Sequence, residues 1–295
     1  MLHSEAVALP AATGLRRNRL LRFGFFFVGL LLFYAPFALF VRLLAPVFPG
    51  TTAANSVPDV HTICLRMPIT WIVQPWLWPS MIGNPVYLFA ILVLPLAAIV
   101  AGPLFCGWLC PAGGLTEHAG RLVPDRFKYD MHGKAPLAPL RYGFFAGMLL
   151  APFVTSNICC SFCNFTPMQY FLSAGTGDFR GFMYFSSTSI ATMAIWLLPL
   201  GLLTKGGRGW CNFLCPAGAL SNLASTVTGR LPFATRVRHD AHKCSGCGSC
   251  QDLCPPRAVT VRPEKEIEVS PYICNVCLDC VKACPSGALR FGRPS

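Results

Sequence analysis

Charge is scarce in this chain. Only 12% of its 295 residues are charged, about half the ~25% usual in soluble domains. Acidic residues are scarcer still, 12 against 24 lysines and arginines. No basic run with interleaved aromatics occurs, so the excess of basic residues does not read as a nucleic-acid surface. Histidine is also rare, and none lies inside a long apolar run, which argues against a bis-histidine haem in a bilayer. The C-x-x-C-H signature of covalent haem is missing. So are the P-loop and G-x-G-x-x-G, which excludes nucleotide hydrolysis or dinucleotide binding by those routes.

Apolar residues make up 54% of the chain, and low charge beside them predicts a membrane protein. Four runs approach the roughly 17–25 residues that a span needs: Phe23 to Val41, Val86 to Phe105, Tyr142 to Ile158 and Phe182 to Leu203. Basic residues gather before the first run (Arg16, Arg17, Arg19, Arg22), between the second and third (Arg121, Arg126, Lys128, Lys134, Arg141) and after the fourth (Lys205, Arg208). The positive-inside rule then puts both termini in the cytoplasm. The expected divisions are a cytoplasmic segment 1–22, a membrane domain 23–235 and a cytoplasmic domain 236–295.

Cysteine is abundant, with 16 residues. Cys244, Cys247, Cys250 and Cys254, followed by Pro255, form the run C-x2-C-x2-C-x3-C-P. It repeats as Cys274, Cys277, Cys280, Cys284 and Pro285. Two such runs hold two [4Fe–4S] clusters, each taking its fourth ligand from the other run. Cys244, Cys247, Cys250 and Cys284 are therefore expected to bind one cluster, and Cys274, Cys277, Cys280 and Cys254 the other. Gly246, Gly248 and Gly287 give the backbone its tight turns. Short strands are expected at Ala258 to Val261 and Ala288 to Phe291. The fold class follows: an α-helical membrane protein with four transmembrane helices and a C-terminal α+β ferredoxin with two [4Fe–4S] clusters.

A second signal is an internal repeat. Phe105 to Gly113 (FCGWLCPAG) parallels Trp210 to Gly218 (WCNFLCPAG). Each copy follows a predicted span and leads into an amphipathic helix, Leu115 to Leu122 and Ala219 to Val227. A C-x3-C pair on one helical turn points both thiols the same way. Cys106, Cys110, Cys211 and Cys215 thus form a candidate four-thiol site at the cytoplasmic edge, for an iron–sulfur cluster or copper. The remaining four, Cys64, Cys159, Cys160 and Cys163, fall on the outer side of the predicted topology. There they read either as disulfides, which that compartment permits, or as a metal site. His61 lies three residues from Cys64. Trp71, Trp76 and Trp78 crowd the same loop; they read as an interfacial belt, or as a re-entrant helix beside a quinol pocket with Gln74 as a polar contact.

This order of features resembles the NapH/MauN family of ferredoxin-type membrane proteins, with related modules in NosR and CcoG. The resemblance runs from about Arg16 to Phe291. It implies that Cys106, Cys110, Cys211 and Cys215 are the family's membrane-edge cysteines and that the eight ferredoxin cysteines hold two clusters. It also implies a bacterial inner-membrane location and a quinol-dehydrogenase-like role. The Cys159-Cys160-x2-Cys163 group departs from the NapH pattern and points to separate outer-side chemistry.

The expected function is electron transfer between the cytoplasmic clusters or the quinol pool and a periplasmic redox protein or reductase subunit, with other membrane subunits as partners. The alternative is copper reduction or delivery, or maturation of a metalloenzyme. Thiolates suit Cu(I).

Overall fold

Prolines and glycines cut the apolar runs into helical pieces. The protein is described by a computed structural model that covers residues 9–47, 63–131, 136–154, 163–179, 181, 187–262 and 266–294. Its first helix, Leu9–Phe33, carries the arginines and then the start of the first apolar run. It stops three residues before Pro36, and a short helix, Leu39–Leu44, follows the break. Proline lacks the N–H that would continue the ladder. Phe23 to Val41 is therefore two helices rather than one.

The second apolar run is also segmented. Helix Pro85–Leu88 passes through a π-helical turn, Phe89–Val93, into helix Leu94–Ala101. Asn84 caps its start, accepting from Val86 N at 2.9 Å. It ends at Gly102, whose φ of 74° is left-handed. Before it, residues Pro75–Ile82 form short helices bent by 112° against Pro85–Ala101. Residues 142–154 of the third run lie in Leu137–Val154, an 18-residue helix that is long and apolar enough to span a bilayer, and the rest of that run lies outside the described residues. Of the fourth run, the described part forms Ser187–Leu197 with a π-helical end, Leu198–Leu202, and residues 182–186 lie outside the described residues.

Large apolar side chains face outward on these helices. Leu20, Phe23 and Phe27 are exposed on the first, Leu92 and Leu96 on the second, Phe144, Leu150 and Phe153 on the third and Ile190 and Ile195 on the fourth. Apolar faces this extensive call for a covering medium or partner. The inward faces meet in one core that includes Phe33, Tyr34, Ile63, Ile69, Tyr87, Phe165 and Trp196.

The C-terminal part is small and two-fold in pattern. Strand β1 (Arg236–His239) pairs antiparallel with β4 (Leu289–Gly292), Arg236 opposite Gly292. Strand β2 (Val259–Val261) pairs antiparallel with β3 (Ile267–Val269). Two one-turn helices, Ser249–Asp252 and Asp279–Ala283, lie one in each cysteine run. Strands β2 and β4 follow the first and second runs, where the sequence predicts strands, while β1 precedes the first run and β3 lies between the two.

Candidate iron–sulfur centres

Within each ferredoxin run, left-handed residues turn the chain around its cysteines. In the first run these are Gly246 (φ 75°) and Gly248 (φ 76°); in the second, Val276 (φ 52°) and Leu278 (φ 63°) take the equivalent places. A non-glycine residue there stores about 1–3 kcal/mol of strain. Cys244, Cys247, Cys250 and Cys284 line a single cavity. Cys254 instead lies within electrostatic reach of Cys274, Cys277 and Cys280. Burial pushes the thiols of Cys254, Cys274 and Cys277 up to about 12. Each set thus draws one cysteine from the other run, as an interleaved pair of cubanes requires. Cys247 is exposed, whereas Cys254, Cys277 and Cys280 are buried. The first set is distal and the second faces the helices.

The two nonapeptides build the next site. Cys106 lies in helix Leu104–Trp108 and Cys211 in helix Gly209–Phe213. Cys110 and Cys215 are not on those helices. Both are extended and occupy the N-cap positions of the next helices, Pro111–Gly120 and Pro216–Val227. The expectation of both thiols on one helical turn is therefore corrected. The reason is the proline after each second cysteine: it drives the preceding residue into extended backbone and starts a new helix at its first position. The two helices begin earlier than the amphipathic pattern indicated. Cys215 Sγ accepts from Gly218 N at 3.5 Å.

The four thiols converge. Burial raises the Cys106 thiol, and Cys110, Cys215 and Cys211 raise it further. Burial pushes Cys211 up to about 11, against the pull of Arg208. Gly113 closes the first nonapeptide against the second: a Cβ there would overlap Arg208 and touch Cys211 Sγ. Among the described residues, no three cysteine, histidine or carboxylate groups draw together tightly enough for one metal ion. The same holds at the ferredoxin cysteines.

Both nonapeptides grip the helix-facing ferredoxin set. Trp108 Nε1 donates to Val276 O at 3.0 Å. Gly107 packs so closely that an added Cβ would overlap the carbonyl of Asn275. From the second copy, Asn212 donates to Pro256 O at 2.9 Å. The first helix adds Asn18, which donates to Cys277 O at 3.0 Å. A buried charge cluster backs these contacts. Arg22 bridges Glu117 at 2.6 Å and Asp279 at 3.2 Å, and Arg208 reaches Glu117 at 2.7 Å. Burial alone would raise the Glu117 carboxyl, but Arg22, Arg208 and Arg121 outweigh it and hold it far below its ordinary range.

The outer group is placed differently from its expected separation. Cys159, Cys160 and His61 lie outside the described residues. Cys64 and Cys163 are buried in the same core as Cys110 and Cys215, and Cys64 hydrogen-bonds Cys163. Arg66 Nη1 donates to Cys163 Sγ at 3.5 Å and also to Asn164. The same guanidinium is within electrostatic reach of Cys215 and Cys110. The hydrogen bond from Cys64 and the charge of Arg66 bring the Cys163 thiol down to about 6 against burial. Short helices Met67–Trp71 and Phe165–Ala174 fold back into the helical layer, which carries both cysteines inward. Gln74 is buried, while Trp76 and Trp78 are exposed.

Comparison with known proteins finds 4Fe-4S domain sequences in the chain. A 4Fe-4S binding domain model matches residues 84–129 and again 188–233, the two halves of the repeat. A 4Fe-4S dicluster domain model matches 243–288. These matches define an iron–sulfur protein of the ferredoxin type. Its relatives carry the names NapH, MauN and YccM, and the chain is NapH-like. It is 30% identical over 209 residues to the ferredoxin-type protein NapH of Haemophilus influenzae, covering 68% of this chain and 66% of that one. It is 33% identical over 174 residues to the methylamine utilization ferredoxin-type protein MauN of Methylorubrum extorquens, covering 58% and 54%. A protein named YccM in Escherichia coli is 28% identical over 185 residues, 61% of this chain and 48% of that one. The chain spans about half to two thirds of the length of these relatives. No solved structure matches it significantly.

Proposed function

We propose that this chain is a membrane-bound electron-transfer subunit that carries electrons along a fixed series of iron–sulfur centres. The distal cluster is held by Cys244, Cys247, Cys250 and Cys284, and the proximal one by Cys274, Cys277, Cys280 and Cys254. A third centre is held by Cys106, Cys110, Cys211 and Cys215. Bound clusters supply one-electron chemistry; the chain's own residues fix the spacing and exclude water. The observation that carries this reading is the grip of both nonapeptides on the proximal set, through Trp108 on Val276 and Asn212 on Pro256. Ferredoxin and four-thiol site are thereby held side by side.

The membrane part of the proposal is supported by the outward apolar faces and by Leu137–Val154. Positive-inside flanks put the ferredoxin in the cytoplasm. Electrons pass on through Cys64 and Cys163, beside Arg66, toward a periplasmic redox partner. Quinol fits a second port. An apolar groove of about 670 Å³ runs between Leu137–Val154 and Ser187–Leu197, and Trp210 and Leu214 of the second nonapeptide line it. The copper reading uses the same four thiols, since thiolates suit Cu(I), and the metal content separates the two.

Iron and acid-labile sulfide per chain, on anaerobically purified protein, test this directly. Two clusters give about eight irons and three give about twelve. Cys106→Ser is expected to remove about four irons and leave the ferredoxin EPR signals intact. Wild-type protein holding only eight irons, with stoichiometric copper, would sink the third-centre reading.

A further inference from the structure

Three buried arginines surround the four-thiol site: Arg66, Arg141 and Arg208, at 6%, 3% and 2% exposure. A guanidinium stays charged in proteins, and burying it without a counter-charge costs several kcal/mol. Arg208 has a counter-charge in Glu117, whose Oε2 accepts from its Nε at 2.8 Å. Arg66 and Arg141 have no carboxylate partner among the described residues. Arg66 donates to the neutral Asn164 side chain and to Cys163 Sγ. Arg141 donates to Tyr272 O at 2.7 Å, and its Nε has no partner.

What both arginines do face is sulfur. Arg66 lies within electrostatic reach of Cys215 and Cys110, and Arg141 within reach of Cys106. The repeat makes room for this. Gly218, the last residue of the second nonapeptide, leaves space that Arg141 fills, as Gly113 does for Arg208 in the first. The helix N-termini at Cys110 and Cys215 add partial positive charge on the same side.

We propose that Arg66 and Arg141 are the counter-ions of a negatively charged four-thiolate centre on Cys106, Cys110, Cys211 and Cys215, and that they raise its reduction potential. This rests on the third-centre reading above. An iron–sulfur cubane with four thiolate ligands is anionic in both redox states. One electron from the proximal ferredoxin cluster oxidises that cluster and adds one negative charge to the centre. Nearby fixed cations favour the more negative state, since net charge is among the determinants of cluster potential. Neither arginine is a ligand; both act on the centre through space.

The test is an EPR-monitored redox titration of the full chain in detergent. It compares wild type, Arg66→Met, Arg141→Met, the double Met variant and the two Lys variants. The midpoint of the third centre should move negative in each Met variant, furthest in the double, and return toward wild type with Lys. The ferredoxin signals should keep their wild-type midpoints, which also reports that the chain has folded. Should the Met variants lose the third centre, retention in the Lys variants supports a requirement for charge, and loss in those as well overturns it. A third centre present with an unchanged midpoint in the double Met variant overturns the inference and leaves the centre standing. Absence of a third signal in wild type, with about eight irons, instead overturns the reading beneath it.

Discussion

Asn222 donates its side-chain amide to the carbonyl oxygen of Cys274 at 2.7 Å and to that of Pro271 at 2.7 Å. One buried amide in the second repeat's helix thus holds the entry to the second cysteine run. Asn222→Leu removes the donor and leaves both carbonyls short of a partner. The expected cost is about 1–3 kcal/mol. It should appear as earlier loss of iron–sulfur absorbance in a denaturant titration.

Glu117 is 1% exposed and is shared by Arg22, Arg121 and Arg208. Glu117→Gln keeps the shape and removes the only carboxylate among the described residues that bridges all three. Breaking a buried pair from one side costs about 3–5 kcal/mol. We expect the unfolding free energy from a denaturant titration to fall by that amount. Retention of wild-type stability would mean that Asp279 alone neutralises the cluster.

Gly107 and Gly206 mark the closest approaches to the ferredoxin. A Cβ at Gly107 overlaps Asn275 backbone, and one at Gly206, whose φ is 84°, overlaps Pro255 backbone. Gly107→Ala and Gly206→Ala should loosen the ferredoxin and raise amide exchange at residues 255–277. Gly143→Ala, with nothing within 4 Å, is the control and should change neither exchange nor cluster content.

His118 is partly buried beside Arg121, whose Nη1 lies 3.2 Å from its Nδ1. Burial lowers its pKa to about 4, and the positive charges of Arg121, Arg22 and Arg208 add to that against the pull of Glu117. Its unfolded value is about 6.5. The unfolded state therefore binds the proton first. The stability linked to His118 is complete above about pH 6.5 and is lost as pH falls toward about 4. His118→Gln should flatten the pH dependence of the denaturation midpoint in that window, and an unchanged slope would count against the assignment.

The ferredoxin and the repeat were legible because their information is local. Ligand spacing is written in the run Cys244 to Cys254, and the nonapeptide in Phe105 to Gly113. The break of helix at Cys110 and Cys215 was also legible in principle, since Pro111 and Pro216 follow them. What stayed hidden was long-range. In the sequence Arg22, Arg141 and Arg208 register only as orientation signals and Arg66 not at all, because nothing near them in the chain names their partners. Glu117 and Asp279 lie 95 and 257 residues from Arg22. Hydropathy located Cys64 and Cys163 outside the runs, yet could not register that Met67–Trp71 and Phe165–Ala174 turn back into the core. Nor does composition announce left-handed backbone at Val276 and Leu278, where the first run uses glycine.

Because helix one, both nonapeptides and the Glu117 cluster all clasp the ferredoxin from the side of Cys277, it cannot swing like a tethered shuttle. Transfer inside the chain should then be indifferent to solvent viscosity, since no segment must diffuse. On the proposed reading, exchange with an external protein at the face where Cys247 is exposed is the step that should slow as the medium thickens. In the proposed role the ferredoxin is then a fixed socket rather than a moving carrier.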